Sequence, residues 1–438
     1  MKLVLPVCFG NGWPGRLARP GRRPADRNDG DALKPRWDRC RYSLYCGRRV
    51  AGRYRLVACA TRERIFRQAL SRLRIVLVPI VVLVACPMAR AGGERGSWKA
   101  EQARKYLDER QKAWFAFSSA DRGEGETRTS CVSCHTVLPY ALARPVLRKL
   151  VGAETATPKK LIAQTRMRVE NWKNLDSEPF GLFYDSSDRK KEESWGTEAI
   201  LNTVILAFDD INQGRSSPSD GTKQAFSILW QTQVQTGDHH GSWDWLDFNM
   251  GPWEWKEARY FGASLAAIAV GTAPGYYTPG TNADTDARVI LLREYLKDGF
   301  QRQNLHNRVW GLWASTKVQG ILTKAEQKDL IDQLLDKQRD DGGWSLSSLG
   351  TWVRSDGTAQ ESESDGYATG LVLHVLQIAG VPKDGVKIAE GLDWLKSNQL
   401  PTGAWRGVSV NKKRDPASHP GKFMSDAATA VAVLALSH

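Results

Sequence analysis

The sequence predicts an all-α protein of about six helical hairpins, on three observations. Weak self-similarity runs from about residue 99 to residue 438. Each unit pairs an amphipathic helix with a small-residue apolar helix across a loop rich in Gly and Trp. Strand alternation is absent.

The hairpins start near residues 101, 158, 222, 287, 325 and 387. The first unit has a helix over residues 101–117 and resumes over 138–150. The second runs from 158–172 through a polar loop to 198–208. The third runs from 222–235 through Gly241-Ser242-Trp243 to 257–270. The fourth runs from 287–299 past His306 to 310–317. The last two are the clearest. Residues 325–337 lead into Gln338-Arg339-Asp340-Asp341-Gly342-Gly343-Trp344, and 387–398 into Gln399-Leu400-Pro401-Thr402-Gly403-Ala404-Trp405. Their second helices begin at Asp365 and Asp426.

The two ungapped Q-x-x-x-G-x-W loops and the small-residue helices resemble the terpenoid cyclase and protein prenyltransferase families. The resemblance spans about residues 99–438 and implies an α/α toroid, a ring of six inner and six outer helices. It also implies that Gln and Trp tie successive units together, so Trp243, Trp344 and Trp405 read as scaffold. The families' activities do not follow. The D-x-D-D acid motif of squalene-hopene-type cyclases is missing, with only Asp284-Thr285-Asp286 and Asp209-Asp210 near it. The Cys needed for a prenyltransferase zinc site has no free counterpart, so whether the chain is an enzyme stays open.

The net charge of +14 at first suggests nucleic acid as a partner. However, residues 1–74 hold 19 of the 62 Lys and Arg but only 5 of the 48 Asp and Glu, so the remainder is neutral and nucleic acid is discarded. Residues 1–60, rich in Arg, Gly and Pro without helical or strand period, read as a basic leader, disordered or not normally made. Residues 61–91 read as a signal peptide, in which Arg62, Arg64, Arg67, Arg72 and Arg74 precede an 11-residue apolar run. Cleavage after Ala89-Arg90-Ala91 would release a soluble protein. The lipobox-like Leu83-Val84-Ala85-Cys86 would instead tether it to a membrane through Cys86. Either way the expected location is periplasmic or otherwise outside the cytoplasm, with residues 92–438 as the toroid domain.

Within that domain Cys131-Val132-Ser133-Cys134-His135 matches C-x-x-C-H, the attachment signature of c-type cytochromes. Two thiols at that spacing can add to the vinyl groups of one haem c, and the adjacent imidazole falls under the iron. A thioredoxin-like pair, half of a zinc site and chance are the alternatives. No cysteine follows Cys134 to complete a zinc site, and the flanks read helical. Laid over the sixth unit, the motif falls in the first hairpin's loop, at the start of an inner helix. His135 is the expected proximal ligand. Met424 is the distal candidate, because ring closure brings the sixth unit beside the first, and His419 is the runner-up. Met167 and His374 read as packing residues. Met250, His239, His240, His306 and His438 are further ligand types in the chain.

The expected function is therefore an exported haem protein in electron transfer or redox chemistry, with a redox partner protein or a small apolar molecule as its partner. A haem-dependent oxidase or peroxidase acting on an isoprenoid-like substrate, and a haem-based sensor or binding scaffold, are the alternatives. Glu198, Glu257, Asp365 and Asp426, at the expected starts of inner helices, are candidate acids. The helix dipole alone would also place carboxylates there.

Overall fold

A computed structural model describes residues 97–152, 155–175 and 187–438; the basic leader, the signal segment and Cys86 lie outside them. Among the described residues there are twelve α-helices. The outer six are α1 (Ala100–Phe115), α3 (Ala156–Glu170), α5 (Asp220–Gln231), α7 (Ala283–Gly299), α9 (Lys324–Asp336) and α11 (Val386–Ser397). The inner six are α2 (Val137–Val151), α4 (Asp188–Asn212), α6 (Arg259–Thr272), α8 (Leu305–Lys317), α10 (Gly366–Ile378) and α12 (Phe423–Leu436). Each inner helix packs on the next, and α12 packs on α2, so the ring closes. This is the α/α toroid. Among the described residues, a short ladder in the first hairpin's loop, β1 (Asp121–Arg122) antiparallel to β2 (Thr129–Ser130), and an isolated antiparallel bridge between Met250 and Glu254 depart from an all-helical reading.

The inner helices are largely buried, and α6, α10 and α12 are made mostly of small and apolar residues on all sides. In α12 the run from Ala427 to Ala435 is wholly buried. The outer helices bury a single stripe; α9, for example, buries Leu330 and Leu334 and is otherwise charged and polar.

Each loop Trp bonds back to its own outer helix, while the loop Gln reaches the next unit. The indole N–H of Trp243, Trp344 and Trp405 donates to Leu229, Leu334 and Leu395 carbonyls respectively, each at 2.7 Å. The Gln338 amide donates to Gly342 O and, in the next outer helix, to Lys387 O. Gln399 does the same across the seam of the ring. It accepts from Lys99 N–H at 2.7 Å and donates to Lys99 O at 3.1 Å, which joins the last unit to the first. Gln233 is a third such residue, bonded to Gly241 O and Arg288 O, which its longer loop hides from the strict pattern. The loop glycine has a fixed role too. Gly403 sits at φ +89°, and a Cβ there would stand 2.3 Å from the Gln102 backbone.

Candidate functional site

Cys131–His135 lead directly into α2. The Ser133 hydroxyl accepts the amide N–H groups of Val137 at 3.1 Å and Thr136 at 3.3 Å, so the motif's own serine starts the helix. Trp114 pins the loop by donating to Cys131 O at 2.8 Å. Neither Cys131 nor Cys134 is in a disulfide, and both are buried. Burial, then the nearby Glu254 carboxyl, pushes the Cys134 thiol well above its ordinary range, so it is no activated nucleophile.

His135 is held on every side that the loop offers. Phe423 stacks on its ring at 3.8 Å, and Trp114 meets it edge-on at 5.1 Å. Its Nδ1 lies 3.0 Å from Thr136 Oγ1, and that hydroxyl donates to Asp426 Oδ2 at 2.8 Å. Thr136 has one proton and spends it on Asp426, so Nδ1–H is the donor to Oγ1 and the lone pair lies on Nε2. Asp426 is fixed by Arg110 through Nε at 2.7 Å and Nη2 at 3.0 Å, and by the Tyr106 hydroxyl. Burial, then the neighbouring His419 and the charges of Arg110 and Arg414, depress the His135 pKa well below the ordinary value, so the ring is neutral.

His135 lines a small cavity, with about 30 Å³ of free space, together with Met250, Trp253, Glu254, Arg414 and Met424. Loops of the first, third and sixth units meet there. Glu254 is the residue that sequence reasoning missed. It lies in a loop between Trp253 and Trp255 instead of at a helix start. Burial raises its carboxyl to about 8, and no hydrogen bond from protein reaches that carboxyl among the described residues. Behind the cavity Trp253 donates to the Tyr367 hydroxyl at 2.9 Å, and His306 Nε2 lies 2.9 Å from the same oxygen.

The sequence-predicted acids are not brought together. Glu198 is eleven residues into α4, because that helix begins earlier than expected. Arg168 holds both its oxygens at 2.5 Å, making it one half of a buried ion pair. Glu257 lies in the loop before α6 and accepts from Asn304 at 3.0 Å. Asp365 is the N-cap of α10. Its Oδ1 accepts from Tyr367 and Ala368 N–H and its Oδ2 from Leu346 N–H, while burial raises it to about 6. Asp426 is the ion-paired support of Thr136.

The ligand candidates divide likewise. Met424 and Met250 line the cavity with His135. His419 packs on Phe117 at 4.4 Å with Nδ1 3.3 Å from Arg110 Nη1, and is not among the cavity's lining. His306 belongs to α8, not to a loop, and is wholly buried. His374 Nδ1 lies 2.8 Å from His438 Nε2, while Met167 is a half-buried residue of α3. His239 and His240 are exposed. No group of three or more His, Cys, Asp or Glu gathers as a metal site among the described residues.

No family model and no curated protein matches the chain. Solved structures do. An α-1,6-mannanase, GH76A of Salegentibacter sp. HEL1_6, is 12% identical with a TM-score of 0.45, over 77% of this chain and 99% of that one. A glycosidase variant solved with glucose is 10% identical with a TM-score of 0.40, over 77% and 97%. The type II terpene cyclase MstE from Scytonema is 14% identical with a TM-score of 0.38, over 77% and 98%. These similarities speak of the fold alone. They correct the functional expectation: the toroids matched are titled as a mannanase, a glycosidase and a cyclase, not as haem proteins of electron transfer, oxidation or sensing.

Proposed function

We propose that the chain is an α/α-toroid enzyme that cleaves a glycosidic bond by acid–base chemistry in the His135–Glu254 cavity. The observation that carries this reading is Glu254: a carboxyl raised to about 8 by burial is protonated at neutral pH and faces a cavity. Trp253, Ser409, Asn411 and Arg414 line the cavity as well, and it must open to admit a sugar ring, since its free space is about 30 Å³. In the proposed reaction Glu254 gives its proton to the glycosidic oxygen as the carbon–oxygen bond breaks. A water adds to the anomeric carbon and its proton is released to solvent, since burial and nearby positive charges keep His135 neutral and a weak base. No second carboxylate lines the cavity among the described residues.

The test is release of new reducing ends from a panel of polysaccharides. E254Q is expected to lose about a hundredfold or more in kcat while keeping its fold. Failure of the wild type on the whole panel, or full activity in E254Q, would sink this reading.

A specific observation favours a second occupant of the same wall. The Thr136–Asp426 relay behind Nδ1 is the support a metal-bound imidazole receives, and two reduced thiols precede it. The donor set is the one a haem c would use: Cys131 and Cys134 would anchor it through their thiols and His135 would bind its iron, with Met424 and Met250 lining the same cavity, which would have to open to hold it. Bound there, the haem would supply a redox-active iron. Attachment is proposed without any electron-transfer, oxidase or sensor role. Protein secreted from a host with attachment machinery should then carry one haem per chain that survives acid–acetone extraction. Extraction of all pigment would exclude it. Its export, as a soluble form or tethered through Cys86, is proposed with it, and N-terminal sequencing of the mature protein reads the outcome.

A further inference from the structure

The loop before α6 divides two spaces. Trp253 and Glu254 line the small cavity, whereas the next residues, Trp255, Lys256 and Glu257, line an open hollow with about 410 Å³ of free space. That room is in the range of small-ligand sites, about 300–1,000 Å³. The hollow lies at the starts of α4 and α6 and the end of α7, at the end of the ring where the CVSCH loop enters α2.

Its lining suits hydroxyl groups better than ions. Four Lys or Arg and four Asp or Glu line it, so its formal charge is zero and neither an anion nor a cation is favoured. Part of that set is already engaged. Glu193 pairs with Arg189 at 2.7 Å, and Arg259 with Asp244 at 2.8 Å. The exposed side chains of Lys256, Arg302 and Asp238 have no ion-pair partner among the described residues, and supply both donors and an acceptor.

Two aromatic side chains stand among these polar groups. Tyr295 is half-buried on α7. Trp255 is 8% exposed, and its indole N–H is buried without an acceptor, whereas Trp245 in the same wall donates to Trp253 O at 2.7 Å. An unanswered buried N–H is costly, and a hydroxyl oxygen reaching it from the hollow relieves that cost. A sugar matches each feature: its ring has an apolar face for the aromatics, and its hydroxyls both donate and accept.

We propose that this hollow binds a neutral oligosaccharide. Its rings lie on Trp255 and Tyr295, and its hydroxyls bond with the Trp255 N–H, Lys256, Arg302 and Asp238. The proposal rests on the glycan reading above for its ligand class, and puts sugar units beside Glu254 but outside its cavity.

Calorimetric titration of the purified protein with maltotetraose, cellotetraose and xylotetraose tests the assignment, with tetragalacturonate and the glucosamine tetramer as charged controls. At least one neutral tetrasaccharide should bind saturably, and more tightly than either control. W255F keeps an aromatic ring and removes the N–H, and should weaken that binding by about threefold to tenfold. K256A, a change on an exposed side chain, should weaken it by about threefold, which keeps the test valid if W255F folds poorly. Absence of saturable binding, or binding undiminished in both variants, would overturn the site. Tighter binding of a charged control would overturn the neutral assignment. Saturable binding without release of reducing ends would sink the catalytic reading alone, and release of reducing ends without such binding would sink the hollow alone.

Discussion

At the residue scale the chemistry turns on groups held in the wrong charge state for water. Glu254 binds its proton up to about pH 8, whereas an exposed glutamate releases its own near 4.5. Between those values the folded chain holds a proton that the unfolded chain has lost, so raising the pH through this window destabilises the fold. The slope is at most about 1.4 kcal/mol per pH unit. Thermal melts across pH 5–8 should therefore show wild type losing ground to E254Q as pH rises; a constant difference would contradict the burial argument. His306 works in the opposite sense. Burial lowers it to about 4, so the folded chain lacks a proton that the unfolded chain takes up below about 6.5. Stability is lost as pH falls through that window, and H306Q should flatten the acid limb of the same melts. The CVSCH motif was legible from spacing alone. Glu254 was not, because the apolar neighbours that raise it come from loops of other units.

At the element scale the Gln-Trp loops and hairpin starts were the most legible part of the sequence. They rest on local signals: a glycine for positive φ, an indole that reaches a carbonyl ten residues back, and an apolar stripe on each outer helix. Gly403 and Gly380 both have φ near +90°, but only Gly403 meets a neighbouring backbone. G380A should cost only the conformational strain, about 1 kcal/mol, and G403A at least about 2 kcal/mol more for displacing Gln102. Equal melting temperatures for the two variants would show that the seam yields freely. The misplacement of Glu198 has an equally physical cause. The start of α4 is set by a Ser187 cap in a charged stretch that lacks apolar period, and the partner Arg168 sits on another helix thirty residues away.

Across the whole molecule, closure of the ring brings the CVSCH loop against α12 and so builds the site. Thr136 meets Asp426 across 290 residues of sequence, and Lys99 meets Gln399 across 300. The order of the units predicted this neighbourhood, but side-chain pairing at the seam could only come from the folded chain. Q399A removes both seam bonds to Lys99 and should cost about 1–2 kcal/mol. Amide exchange at the start of α1 should quicken while that of α3 does not; uniform exchange along both helices would show that the seam carries no special share of closure.

The central claim is a protonated acid facing the cavity at neutral pH. Infrared difference spectroscopy of wild type against E254Q measures it directly. The account predicts a protonated-carboxyl band at pH 7 that vanishes with an apparent pKa near 8 and is absent from E254Q. A carboxylate band at pH 7, titrating in the ordinary glutamate range, would contradict it.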